Sequence, residues 1–130
     1  MITGIAHTCF ITADLDRVIA FYESIGLRVA FEFKREDGTR YGAYIRAGNR
    51  NFMEFFKGDA KPADAATYQH ICLEVDDIVK TVADFRAKGV AVSDPMLGSD
   101  QSWQAWLADP DGNRIELHAY TPASWQAPHL

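Results

Sequence analysis

Several short stretches of the chain alternate between aliphatic and other residues, a pattern typical of strands that bury one face. In His70–Val75 and in Arg114–His118, every odd-numbered residue is aliphatic and every even-numbered one is not. Because successive side chains of a strand point to opposite faces, the aliphatic positions predict a face covered by helices. His70 and Glu116 are therefore predicted to point away from the helix layer.

Two helices are predicted from the residues that begin and end them. The first follows Asp14 as N-cap, runs to about Ser24 and ends before Gly26, which suits the left-handed position after a helix. The second helix has the matching signals: Asp76 or Asp77, the range Ile78 to about Lys88, and Gly89.

Eight strand-like segments flank these helices and are separated by turn signals such as Asp109–Asn113. In the first half they are Ile2–Thr12, Arg28–Phe33, Tyr41–Ala47 and Phe52–Phe56. In the second half they are His70–Val75, Val90–Val92, Trp103–Ala108 and Arg114–His118. Each half has the order strand, helix and three strands, so the predicted fold class is α+β with two tandem βαβββ modules.

The two halves are copies of one unit. A shift of 63 positions relates His7 to His70 and also matches Cys9 with Cys72, Asp14 with Asp77, Tyr22 with Phe85, and Gly26 with Gly89. Near the end of each half the shift becomes 62, which relates Glu54 to Glu116. The repeat predicts module 1 at about 1–57, a linker at 58–67, module 2 at about 68–120 and a tail at 121–130.

Composition narrows the classes of function. A chain of 130 residues with 48% hydrophobic residues is sufficient for one core, so we expect a single domain. The formal charge of -5 is spread along the chain without a basic block, which argues against nucleic acid as a partner. No apolar run approaches the roughly 20 residues that span a bilayer, and the first residues lack a secretory signal. A cytoplasmic protein without a membrane partner is expected, and we interpret Cys9 and Cys72 as buried thiols.

Four residues, His7, Glu54, His70 and Glu116, are candidate metal ligands. Each taken alone would be interpreted as a hydrogen-bonded histidine or a solvated glutamate, which are the commoner cases. The duplication changes this, because matched strands carry the same residues and a pseudo-twofold axis would bring all four together. Phenylalanines flank Glu54 on its face, and a charged carboxylate in an apolar setting needs compensation. The set suits one divalent ion, with nickel, cobalt or zinc preferred and manganese or iron as alternatives.

Candidates for contacts with a small-molecule substrate are Phe52, Phe56, Trp103, Arg114 and His118. The phenylalanines would form an apolar wall, with sheet core as the alternative. Arg114 and His118 flank Glu116 and would bind a ligand carboxylate, support the metal ligands through an outer contact, or form an ordinary salt bridge. Trp103 and Trp106 point to opposite sides, so at most one of them faces the site. The loop 98–102 suits a mobile substrate cover or an ordinary connection.

A resemblance to a known family is carried by four segments, which are Gly4–Thr8, Asp16–Tyr22, Tyr68–Asp77 and Asp109–Leu117. Through them nearly the whole chain resembles the vicinal oxygen chelate superfamily, which includes glyoxalase I, extradiol dioxygenases and bleomycin resistance proteins. The resemblance implies that the two modules form curled mixed sheets around a central metal-binding cleft. It also implies a homodimer.

The position of Glu54 is similar to that of a ligand in glyoxalase I, the lactoylglutathione lyase. Dioxygenases of the superfamily use two histidines and one glutamate, and bleomycin-binding proteins lack metal ligands. The resemblance implies a metal-dependent lyase or isomerase that moves a proton between adjacent carbons of a hemithioacetal, or of a related vicinal-oxygen substrate, through a metal-bound enediolate. Glu116 is the implied base, with Glu54 as the alternative.

Two positions differ from the pattern of bacterial glyoxalase I. Ile11 stands where an arginine is usual and Gly58 where an asparagine is usual, and both belong to the glutathione pocket of that family. Another thiol adduct, or a sugar-like or hydroxyacid substrate, is therefore an alternative to a glutathione adduct. The alternative functions are an Fe(II)-dependent dioxygenase and a non-catalytic drug- or metabolite-binding protein of the same fold. The repeat permits a site within one chain or one shared across a dimer.

Overall fold

Two compact units, Met1–Ala66 and Thr67–Leu130, make up the chain and follow the two halves of the repeat. The computed structural model describes residues 7–59, 70–125 and 127–129. The predicted strand residues 2–6, the motif residues 4–6, 68 and 69, and the linker residues 60–67 lie outside the described part.

The helix predictions are confirmed in both units. Helix α1 spans Leu15–Ser24 and helix α2 spans Ile78–Ala87. The Asp14 side chain accepts a hydrogen bond from the backbone N–H of Arg17 at 3.1 Å, and Asp77 does the same for Lys80 at 2.9 Å. Such an N-cap contributes about 1 kcal/mol to helix stability. Gly26 and Gly89 follow the helices with φ of 98° and 80°, where a Cβ atom would be strained.

Each unit contains one four-stranded mixed sheet. In unit 1 the strands are β1 His7–Thr12, β2 Arg28–Lys34, β3 Arg40–Arg46 and β4 Phe52–Lys57, in the order β1-β4-β3-β2. In unit 2 they are β5 Ile71–Glu74, β6 Met96–Leu97, β7 Trp103–Ala108 and β8 Arg114–Ala119, in the order β5-β8-β7-β6. The first and last strands of each unit pair in parallel and the other pairs are antiparallel. The α+β class with two βαβββ units is confirmed.

One strand prediction is wrong. Residues Val90–Val92 form no ladder, and the strand next to β7 is the short β6 instead. The Arg86 guanidinium donates a hydrogen bond to the carbonyl of Val92 at 2.8 Å. The backbone N–H of Ser93 donates to the carbonyl of Trp106 in β7. Pro95 follows without an N–H, so regular pairing begins only at Met96.

The core of each unit lies between its helix and one face of its sheet. In unit 1 Val18 and Tyr22 of α1 pack with the fully buried Ile45, Met53 and Phe55. In unit 2 the buried hydrophobic side chains are Ile78, Val82, Phe85, Ala105, Leu107, Ile115, Leu117 and Ala119. The opposite face of each sheet carries the predicted ligands, as the alternation required. Within the described ranges, neither helix has the length and apolarity needed to cross a membrane.

Candidate metal centre

The first predicted ligand pair lies on the open face of the sheet in unit 1. In the ladder Glu54 of β4 stands opposite Cys9 on one side and Tyr44 on the other. Its Oε2 atom is 3.6 Å from Nε2 of His7. The Tyr44 hydroxyl is 3.0 Å from the other ring nitrogen, Nδ1 of His7. This contact engages Nδ1, so Nε2 is the nitrogen available on the side of the carboxylate.

Unit 2 repeats the pair with closer contact. Nε2 of His70 lies 3.1 Å from Oε2 of Glu116, and the edge of the His70 ring packs on Trp106 with ring centroids 5.1 Å apart. The histidine side chains are about equally accessible, at 40% for His7 and 36% for His70. Each unit therefore presents one imidazole nitrogen and one carboxylate oxygen side by side, which is the donor chemistry of a borderline divalent cation.

Glu116 has a second histidine neighbour, whereas Glu54 has only His7 among the described residues. Nδ1 of His118 is 3.1 Å from Oε1 of Glu116, and Nε2 of His118 faces the Asp100 carboxylate at 4.0 Å. His118 is buried, with 8% exposure; the sequence predicted either a substrate contact or an outer contact to the metal ligands for it. In the structure it contacts a predicted ligand and a neighbouring carboxylate.

The cysteines are exposed rather than buried, which corrects the sequence interpretation. Their strand positions point them to the open faces, beside the glutamates and away from the helices. Partial desolvation, reinforced by the negative charges of Glu116, Asp100 and Glu74, raises the pKa of the Cys72 thiol to about 12. Desolvation and then the hydrogen bond and charge of Glu54 raise the pKa of Cys9.

Three metal-ligating side chains come together in unit 2. Among the described residues, Cys72, Glu116 and His118 have ligand atoms that all lie within 4.8 Å of one another. Sequence reasoning missed Cys72 as a member of any site. The repeat contained a signal for this cluster. The position equivalent to His118 in unit 1 is Phe56, so the histidine of the cluster is specific to unit 2.

Aromatic residues cover much of the open face of unit 1. We call this set the aromatic face; its members are Phe31, Phe33, Tyr41, Tyr44, Phe52 and Phe56. Tyr44 stacks between Phe31 and Phe52 with both centroid distances at 4.8 Å, and Tyr41 stacks on Phe56 at 5.9 Å. The predicted wall residues Phe52 and Phe56 thus lie on the same side as Glu54, in the company of four further rings.

Of the two tryptophans in β7, the register places Trp106 and not Trp103 on the face of Glu116. Trp106 stands opposite Glu116 in the β7–β8 ladder, and Arg114 lies over its ring at 4.5 Å. Trp103 shares its side with the buried Ala105 and is 41% exposed. The tryptophan next to the predicted ligands is therefore Trp106, while Arg114 contacts an aromatic ring.

The loop 98–102 is tied to the C-terminal segment. The buried hydroxyls of Ser102 and Ser124 hydrogen-bond at 2.8 Å, and the backbone N–H of Trp125 donates to the carbonyl of Asp100 at 3.0 Å. Gln101, which lies between Asp100 and Ser102, has a positive φ of 65°. These contacts favour an ordinary fixed connection over a mobile cover, and they hold Asp100 beside His118.

Comparison with known proteins gives the family. Residues 4–117 match the sequence profile described as Glyoxalase/Bleomycin resistance protein/Dioxygenase superfamily. The chain belongs to this superfamily. A lactoylglutathione lyase of Haemophilus influenzae is 30% identical over 122 residues, which cover 87% of this chain and 90% of that protein. A probable chloroplastic lactoylglutathione lyase of Arabidopsis thaliana is 29% identical over 120 residues, 85% of this chain, but the match spans only 34% of that protein.

Superfamily members with other described roles have the same architecture. The structure of a bleomycin resistance determinant encoded on the transposon Tn5 superposes with a TM-score of 0.70 at 25% identity, covering 90% of this chain and 98% of that one. The chain is thus similar both to a protein named as a lyase, at 30% identity, and to one named as a drug-resistance determinant, at 25%, so the choice between these functions depends on its own residues.

Proposed function

We propose that this protein is a divalent-metal-dependent lyase or isomerase of glyoxalase I type. The observation that carries the proposal is the His–Glu pair on the open face of each unit, with Nε2 and Oε2 separated by 3.6 Å in one unit and 3.1 Å in the other. Two relatives named as lactoylglutathione lyases support it. A cytoplasmic homodimer is part of the same proposal.

The ligands of the cation are His7, Glu54, His70 and Glu116, one pair from each unit, either within one chain or across a dimer. The donor set fits the group, because two neutral imidazoles and two carboxylates make a neutral complex with a divalent ion. Nickel, cobalt and zinc are the preferred ions, with manganese and iron as alternatives. When bound, such an ion polarises adjacent oxygens of a substrate and stabilises negative charge that develops on them.

Glu116 is the proposed base. Its carboxylate takes the proton from one carbon of the substrate and returns it to the neighbouring carbon. His118 supports this role, because its contact with Oε1 holds the carboxylate in place whichever partner Oε2 has. Glu54 is the alternative base. Tyr44 orients the His7 ring through Nδ1.

The thiol half of the substrate is proposed to differ from glutathione. Ile11 and Gly58, which occupy two positions of the glutathione pocket in similar enzymes, are neighbours in the structure: a Cβ atom on Gly58 would lie 3.1 Å from Cγ2 of Ile11. An apolar contact thus stands where a cation and an amide would bind a peptide carboxylate. An adduct of a smaller or more apolar thiol fits this surface better, and a hydroxyacid or sugar-like substrate, which has no peptide carboxylate to bind here, is the alternative.

A metal analysis combined with a substrate series tests the proposal. Protein purified without added ions is analysed for bound metal, stripped with a chelator and reloaded with nickel, cobalt or zinc. Turnover is then measured on methylglyoxal hemithioacetals of glutathione and of smaller thiols. Metal-dependent turnover, with a smaller thiol preferred, is the expected result. Protein that neither binds these ions nor turns over any hemithioacetal would exclude the proposal.

The second candidate is a non-catalytic protein that binds an aromatic drug or metabolite. The aromatic face of unit 1 favours it, since stacked and partly exposed rings such as Phe31, 49% exposed, offer a surface for a planar ligand. Tight binding of a planar aromatic compound to the metal-free protein, unchanged by Glu54→Gln and Glu116→Gln, would support this candidate. Competition between such a compound and the metal-loaded reaction would support the enzyme.

A further inference from the structure

Glu116 directs its two carboxylate oxygens at two different histidines. Oε2 is 3.1 Å from Nε2 of His70, and Oε1 is 3.1 Å from Nδ1 of His118. The proposed catalytic ion accounts for the first contact only. The donors on the Oε1 side of Glu116 are its own oxygen, the His118 imidazole and the Cys72 thiol. They bind no ion in the proposed function.

We propose that Cys72, Glu116 and His118 form a second metal site, selective for a thiophilic divalent cation such as Zn²⁺ or Cd²⁺. The site lies within unit 2 and does not depend on the proposed lyase activity. Its donors are one sulfur, one carboxylate oxygen and one imidazole nitrogen, which zinc accepts in a four-coordinate shell completed by water.

The distances suit a shared cation. With bonds of about 2.0–2.3 Å, the ligand atoms of a tetrahedral zinc ion lie about 3.3–3.7 Å apart. Nδ1 of His118 and Oε1 of Glu116 are already 3.1 Å apart, and all three ligand atoms lie within 4.8 Å. Because Cys72 is exposed, a rotation of its side chain can close the remaining distance, and an ion can enter from the same side.

The carboxylates around Cys72 and the Asp100 carboxylate beside His118 also favour a metal site. The carboxylates of Glu116, Asp100 and Glu74 all act electrostatically on Cys72, so the cluster lies in a negative field that attracts a cation. On the far side of His118, the buried Nε2 has no hydrogen-bond partner within the described part of the chain and faces the Asp100 carboxylate at 4.0 Å. A histidine that binds metal through one nitrogen commonly donates its other N–H to a carboxylate, and Asp100 stands where that acceptor is needed.

The internal repeat supplies a natural comparison. In unit 1, Cys9 stands beside Glu54 just as Cys72 stands beside Glu116, but Phe56 replaces His118. The first unit therefore has the thiol and the carboxylate, and His7 on the other carboxylate oxygen, but no counterpart of His118. If a thiol beside a glutamate were sufficient, both units would bind; if His118 is required, only unit 2 binds.

Cadmium titration of the full-length, metal-stripped chain tests the site, because a thiolate bound to Cd²⁺ gives a charge-transfer absorption in the ultraviolet. The wild type and Cys9→Ser are expected to show the band at one equivalent, and Cys72→Ser to lose it. His118→Phe, which copies the arrangement of unit 1, is expected to weaken the affinity at least tenfold. Binding should release one more proton from wild type than from Cys72→Ser, since the thiol must ionise.

The double variant His7→Ala/Glu54→Gln removes half of the proposed catalytic ligands and leaves unit 2 intact. It is expected to keep the band, so the lyase proposal and the second site can fail separately. A band lost in Cys9→Ser and kept in Cys72→Ser, no band in any variant, or a band that His118→Phe leaves at full affinity would each overturn the site. Circular dichroism and thermal melting identify a variant that loses the band because it unfolds. If His118→Phe unfolds, His118→Gln replaces it in the comparison of affinities.

Discussion

The hydroxyl of Tyr44 lies 3.0 Å from Nδ1 of His7, which links the aromatic face of unit 1 to a proposed metal ligand. Such an outer contact fixes the orientation of the ring and the nitrogen that binds the ion. We expect Tyr44→Phe to weaken the affinity for nickel or zinc by about tenfold or more, because the ring remains stacked while its hydroxyl is lost. Isothermal titration calorimetry on metal-stripped protein measures the change.

Tyr41→Phe is the matched control for this prediction. Tyr41 belongs to the same aromatic face and stacks on Phe56, so its hydroxyl can be removed without touching His7. Its metal affinity should equal that of the wild type. Equal affinities of Tyr44→Phe and the wild type would show that the hydroxyl has no part in orienting His7.

The two glutamates should differ in their effect on turnover. We expect Glu116→Gln to lower kcat by about 10²–10⁴-fold, since the amide cannot accept the substrate proton, and Glu54→Gln to retain more activity because its main task would be to bind the ion. Both variants keep the size of the side chain. Steady-state kinetics with protein of measured metal content separates lost chemistry from lost metal. Small and equal losses would contradict the assignment of the base to Glu116.

The thiol of Cys72 should react slowly while the protein is folded and metal-free. Its pKa is raised from 9.0 to about 12, which means that the neutral form persists to higher pH. At pH 8 the thiolate fraction falls from about 10% to about 0.01%, and the thiolate is the reacting species. In Cys9→Ser, where Cys72 is the remaining thiol, alkylation by iodoacetamide is expected to be slower by orders of magnitude than in the same protein unfolded in urea.

The raised pKa of Cys72 also predicts how the alkylation rate changes with pH. For the folded protein the alkylation rate should go on rising beyond about pH 10, while for the unfolded protein, with a thiol pKa near 9.0, it should level off at about pH 10. Glu116→Gln removes one of the negative charges that raise the pKa and should accelerate the reaction. A folded protein that reacts at the rate of the unfolded one would contradict the raised pKa.

Gly42 is required by the close packing of β3 against β4. A Cβ atom at this position would lie 2.6 Å from Cδ1 of Phe56 and 2.9 Å from the carbonyl oxygen of Phe55. One of these contacts is with backbone, so side-chain rotation alone cannot relieve it. We expect Gly42→Ala to lower the free energy of unfolding by about 1–3 kcal/mol, as overpacking usually does, measured by urea denaturation.

Gly48→Ala is the control for that variant. A Cβ atom at Gly48 would meet nothing closer than 3.9 Å, so the same chemical change should leave the midpoint of urea unfolding nearly unchanged. Equal stability of the two variants would mean that the sheet accommodates the methyl group added at Gly42 with little loss of stability.

Much of the fold follows from local sequence signals. The N-caps Asp14 and Asp77 and the glycines Gly26 and Gly89 bound the helices at the predicted residues, since a cap and a left-handed glycine act on their own backbone. The prediction of a strand at Val90–Val92 was wrong because it rested only on the strand propensity of its two valines. Whether a strand forms also depends on a partner, and here Arg86 takes the Val92 carbonyl instead.

The sequence by itself determined the duplication, the α+β class, and the faces on which His7, Glu54, His70 and Glu116 lie, because alternation and repeat spacing are properties of the chain alone. Only the tertiary structure decided which residues meet across strands. It placed Trp106 rather than Trp103 opposite the glutamate, Tyr44 on His7, and the buried His118 between Glu116 and Asp100. Alternation gives the face of a strand, but hydrogen-bonding register between strands distant in sequence selects the neighbour.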